Sequence, residues 1–80
     1  MLKRLELTHP QSCLNRAEDD EYLFVLLARD ETGPSTVRYW IEERIRIGKN
    51  KRGDAQIVEA ELAAREMEEF FRKRKAAKGV

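Results

Sequence analysis

His9 and Cys13 are the one histidine and the one cysteine of this 80-residue chain, and they stand four residues apart. On a continuous helix that spacing puts two side chains on one face. An imidazole there would activate a thiol as a nucleophile. Pro10 works against it, because the residue before a proline is driven out of helical conformation. With no oxyanion element beside them, no Cys–His nucleophile is expected. One Cys and one His are also too few ligands for a structural zinc site. Glu18-Asp19-Asp20-Glu21 is a second candidate, for a divalent cation or a basic surface. Contiguous carboxylates fan out around a turn and do not converge on one ion, so capping and solubility explain them better. Gly48-Lys49-Asn50 and Lys51-Arg52-Gly53 lack the strand and the Gly-rich loop that cradle a phosphate. No catalytic, cofactor-binding or metal-binding residues are assigned, and the chain is expected not to be an enzyme.

The remaining candidates are cations and hydroxyls. Arg44, Arg46, Lys49, Lys51 and Arg52 form a basic stretch that is the expected partner-binding surface. Arg44 falls inside an otherwise apolar helical arc. Such an arginine either carries its guanidinium out to water or pairs with a carboxylate, for which Asp19, Asp20 and Glu61 are candidates. Facing an open groove instead, it would meet an acidic or phosphate-bearing partner. Arg72-Lys73-Arg74-Lys75 reads as a solvated helix end, where bases are favoured by the helix dipole.

The elements that position these residues follow from pattern and punctuation. Leu2, Leu5 and Leu7 give the start of the chain the look of an N-terminal arm or short strand over residues 1–9. Pro10 suits the first position of a short helix from about Gln11 to Ala17. Asp19 or Asp20 can cap a helix running from about Glu21 to Arg29. Leu23 to Ala28 is apolar all round, which predicts a central, buried element. A buried strand is the competing reading, which periodicity cannot separate for so short a run. Pro34 opens a helix that extends to Ile47, with Val37, Trp40, Ile41, Ile45 and Ile47 on one arc, and Gly48 ends it. Asp54 is expected to cap the longest helix, from Ala55 to Lys75 or beyond. There Ile57, Ala60, Ala64, Met67 and Phe71 recur as a heptad seam, with Trp40 as the expected bulky partner. Val58, Leu62 and Phe70 lie off that seam and predict a homodimer interface. Residues 76–80 are expected to be a frayed tail.

Leu23 to Arg46 also has the wording of a helix-turn-helix. The Pro34 helix is similar to the recognition helices of helix-turn-helix regulators over about eight residues. Ser35, Thr36, Arg38 and Tyr39 would then point outward to phosphates and base edges. The upstream half departs from the pattern. Glu31 holds the turn position that is commonly Gly, Gly33 comes two residues late, and Leu27 stands where a small residue belongs. Asp30 and Glu31 would also lie near phosphates.

Composition bounds the rest. Hydrophobic residues make up 41% and charged residues 39% of the chain, and the net charge is +1. That supports one small helical core and gives nucleic-acid binding no whole-chain electrostatic help. A single cysteine allows no internal disulfide and fits a reducing compartment. No secretory leader and no membrane span are expected, since the longest apolar run is Leu23 to Ala28.

Ser12-Cys13-Leu14-Asn15-Arg16-Ala17, Asp19-Asp20-Glu21, Phe24-Val25-Leu26 and Ala28-Arg29-Asp30 resemble a group of small hypothetical proteins of bacteriophages and prophages. The likeness runs on through Pro34, Val37-Arg38, Trp40, Gly48-Lys49-Asn50, Asp54, Gln56-Ile57, Glu59-Ala60 and Met67, and spans Thr8 to Phe71. The group has no assigned activity, so the resemblance implies a phage-borne accessory protein and transfers no site residues. The expectation is therefore an all-α single domain over residues 1–80, with three or four helices and a long C-terminal one, in the cytoplasm of a bacterial host. It would act without cofactors by binding a host or phage macromolecule, in host defence or transcription. The alternative is a helix-turn-helix DNA binder.

Overall fold

The computed structural model describes residues 1–77. It is helical, with α1 at Lys3–Thr8, α2 at Cys13–Arg16, α3 at Gly33–Arg46 and α4 at Ala55–Ala77. Among the described residues there is no strand. Helix contacts fall into two pairs: α3 packs on α4, and α1 on α2.

The α3–α4 hairpin holds the core. Ile41 of α3 is buried, as are Ile57 and Ala64 of α4. Ala60, Met67 and Phe71 are half-buried along the same seam, so the 3,4 spacing of α4 faces its partner as the pattern requires. Burying an isoleucine side chain fully contributes about 1.5–3 kcal/mol. Ile41 and Ile57 are the two large apolar side chains of the hairpin that are buried. Trp40, the expected bulky partner, is still 40% exposed. It lies one position off the arc centred on Ile41, and Ile41 takes the inward place. Gly48 ends α3 with φ at 79°, the left-handed conformation that glycine adopts without steric cost.

Several expected elements differ. Residues 3–8 form helix α1 rather than an arm or strand. Its last turn is held from outside, because the Ser12 hydroxyl donates to the Glu6 carbonyl at 2.6 Å and the Asn15 amide group donates to the Glu6, Leu7 and His9 carbonyls. α2 opens at Ser12 rather than Pro10, with the Ser12 hydroxyl accepting from the Asn15 backbone N–H. Pro10 lies in the turn ahead of it. Asp54 precedes α4, but its carboxylate turns back to accept from the Lys51 N–H and the Asn50 side chain. The expected tail is helical through Ala77, and residues 78–80 lie outside the described residues.

The largest departure is the predicted buried helix over residues 21–29. Residues 21–27 adopt neither helix nor strand, and residues 28–29 turn. Tyr22 is fully exposed at 102%, Phe24 at 84% and Val25 at 70%. Asp19 and Asp20 consequently cap nothing. The physical reason is length and lack of packing: despite its three leucines a run this short does not hold a helix alone, and most of its side chains find no burial here.

The whole chain is correspondingly open. It exposes 6843 Å², against about 5,000 Å² for a compact monomer of this mass. Its radius of gyration is 14.2 Å, against about 11.6 Å for a compact chain of this length.

Candidate interaction surface

Residues 22–27 read Tyr-Leu-Phe-Val-Leu-Leu. Glu21 closes the acidic turn before them, its N–H bonding to the Glu18 carbonyl and its carboxylate accepting from the Glu18 N–H. After them the Leu27 carbonyl accepts from the Asp30 N–H. Between these two turns, no N–H from Tyr22 to Leu27 and no C=O from Tyr22 to Leu26 has a hydrogen-bond partner among the described residues. The segment therefore joins an exposed apolar surface to a row of free backbone donors and acceptors. Side chains of this kind favour strands, and an unpaired backbone edge is a template for another strand.

The C-terminal end of the segment is fixed. Asp30 accepts from both the N–H and the hydroxyl of Thr32, at 2.8 and 2.6 Å. Those bonds hold its carboxyl below the usual range. Gly33 follows and is buried beneath Met67 of α4, close to the Leu27 carbonyl.

The basic stretch is mostly engaged within the chain. Arg44 donates from Nε to Asn50 at 2.6 Å and from its terminal nitrogen to Gln56 at 3.3 Å. Its guanidinium also stacks 5.1 Å from the Trp40 ring centre. None of Asp19, Asp20 or Glu61 is its partner; polar amides and an aromatic face take that place. Arg46 pairs with Glu43 at 2.7 Å and Arg52 with Glu42 at 3.0 Å. Both carboxyls are held low by these guanidinium bonds. Glu61 lies 3.9 Å from Arg52 instead. Among the described residues, Lys49 and Lys51 of the expected surface make no ion pair. Exposed pairs of this kind contribute little to stability, yet they do lower the positive potential offered to a partner.

The helix-turn-helix arrangement is not formed, because its first helix is absent. Of the residues expected to meet DNA, Arg38 is joined to Glu68 at 2.6 Å. The Ser35 and Thr36 hydroxyls donate to the Thr32 carbonyl. Tyr39 is exposed. Asp30, Glu31 and Glu68 line the same open groove as Ser35 and Arg38, which sets carboxylates where a phosphate would have to sit. Val58, Leu62 and Phe70 are exposed on α4, with Arg74 over the Phe70 ring. His9 accepts from the Gln11 N–H, while Cys13 is an exposed thiol beside Arg16. Among the described residues no three metal-ligating side chains come together, and no helix is long and apolar enough to cross a membrane.

Sequence reasoning found the apolar run and assigned it to the core. The missed signal was its flanks: an acidic cluster before it and an Asp-Glu-Thr-Gly turn after it leave no neighbouring apolar stripe to bury it. No family model, curated protein or solved structure matches the chain.

Proposed function

We propose that this chain is a non-enzymatic binding protein whose contact surface is the apolar segment at residues 22–27. One observation carries the reading: within residues 22–27 the side chains of Tyr22, Leu23, Phe24, Val25 and Leu27 are exposed, and among the described residues no backbone N–H of the segment and no carbonyl before Leu27 has a partner. Exposed apolar surface of this extent on so small a protein marks an interaction site. A protein partner suits it, since backbone pairing supplies affinity and alternate side chains supply specificity. The resemblance to phage and prophage proteins supports a host or phage protein as the partner, the chain's own copies included. Modulation of a host defence or transcription complex is the role this fits.

The test is recovery from infected host lysate with the full chain as bait, scored for protein and for nucleic acid. Wild type is expected to recover a protein partner in stoichiometric amount, and Phe24→Asp to lose it. Recovery of nucleic acid alone, or of the same protein by Phe24→Asp, would overturn the reading.

A further inference from the structure

We infer that the occupant of the 22–27 segment is an extended apolar strand of another protein, bounded at both ends by lysine or arginine. The inference rests on the reading of that segment as the contact surface and names the chemistry that fits it.

The backbone sets the shape of the occupant. Among the described residues, the free donors and acceptors of residues 22–27 leave about 20 Å of chain unpaired. Another strand of similar length satisfies them. Tyr22, Leu23, Phe24, Val25 and Leu27 are exposed along it, so the side chains that face them are apolar as well.

Charge sets its ends. Glu18, Asp19, Asp20 and Glu21 precede the segment, Asp30 and Glu31 follow it, and all are exposed. Arg29 is the single cation among residues 18–31, so that stretch carries a formal charge of −5 in a chain whose net charge is +1. Glu21 bonds to the Glu18 N–H and Asp30 to Thr32, whereas among the described residues the carboxylates of Asp19, Asp20 and Glu31 hold nothing within the chain. Glu31 lines an open groove with Pro34 and Phe71. A lysine or arginine at the end of a docked strand lays its stem on those apolar residues and its charge beside Glu31.

Other occupants meet repulsion. Nucleic acid would bring its phosphates to this acidic stretch. A second copy paired parallel stacks acid on acid. Paired antiparallel with Glu21 opposite Arg29, it sets Asp20 opposite Asp30 and Asp19 opposite Glu31, and like charges directly opposite are destabilising. Lysine is the side chain that most often guards an exposed sheet edge. An edge guarded in that way repels its own kind and is complementary to this segment.

The test uses the full chain and two fluorescent synthetic peptides, Lys-Lys-Val-Thr-Val-Tyr-Val-Thr-Lys-Lys and the same core with glutamate in place of every lysine. Fluorescence anisotropy is expected to show the lysine peptide bound about tenfold or more tighter. Raising salt from about 0.05 M to about 0.5 M should shrink that preference, because exposed charges are screened. The triple variant Asp19→Lys, Asp20→Lys, Glu31→Lys should favour the glutamate peptide instead, and Phe24→Asp should lose both. Equal binding of the two peptides by wild type, or preference for glutamate, overturns the basic ends and leaves the contact surface standing. Binding of the lysine peptide kept by Phe24→Asp overturns the inference, because that peptide then lies elsewhere. Binding of neither peptide overturns the strand partner. In that case the contact surface stands if a lysate protein is lost on Phe24→Asp, and falls too if none is recovered.

Discussion

Gly33 lies directly under Met67: a Cβ added at Gly33 would come within 3.2 Å of the Met67 sulfur and 3.7 Å of the Leu27 carbonyl oxygen. One small residue thus joins the start of α3, the seam of α4 and the end of the apolar segment. The thioether is flexible enough to give by a few tenths of an ångström, and alanine is the better helix former. Gly33→Ala should therefore stay within about 1 kcal/mol of wild type in urea unfolding. Gly33→Val has no such room and should cost about 1–3 kcal/mol. Equal stability of the valine variant would mean that the hairpin does not close over this position.

Arg44 ties the end of α3 to the connector and the first turn of α4. It reaches Asn50 and Gln56, stacks on Trp40, and its carbonyl accepts from the Lys49 and Asn50 N–H groups. Arg44→Ala should lower stability by about 1–2 kcal/mol, in line with hydrogen bonds to a charged group. Arg44→Lys should recover only part, since an ammonium cannot reproduce the planar fork and stack together. Full recovery by lysine would reduce the role of Arg44 to charge alone.

Acid should weaken the hairpin slightly, since the carboxylates that are bonded as anions are all at its surface. Asp54 is held below the usual carboxylate range by the Lys51 N–H first and the Asn50 side chain second. Glu42, Glu43 and Glu69 are held low chiefly by Arg52, Arg46 and Arg72. A carboxylate with a depressed folded-state pKa contributes stability above its unfolded pKa and loses it as pH falls through the folded value. Stability should be level from neutral pH down to about pH 5 and fall below about pH 4. Asp54→Asn should flatten part of that fall. A profile that rises on acidification would contradict the assignment of these carboxylates as bonded anions.

The hairpin was legible in the chain and the segment was not, for a physical reason. α3 and α4 each carry a local stop or start signal, at Pro34, Gly48 and Asp54, together with a periodic apolar stripe that matches one partner. Helix ends and seams are set by nearby residues. Whether Leu23, Phe24 and Val25 are buried depends on what else in the chain can cover them, and no local rule states that. The same limit applied to Arg44. Its place in an apolar arc was visible, but the Asn50 and Gln56 amides that receive it are brought there only by the turn at Gly48. Ser12, the buried hydroxyl that joins α1 to α2, carries no such sequence signal, because a serine near Pro10 reads as ordinary loop.

The most direct measurement is amide hydrogen exchange across residues 22–27 in the free chain and in its complex with the protein recovered from lysate. In the free chain these amides should exchange without protection. With the partner bound they should become protected. Protection already present in the free chain, or none in the complex, would contradict the assignment of this segment as the surface by which the protein acts.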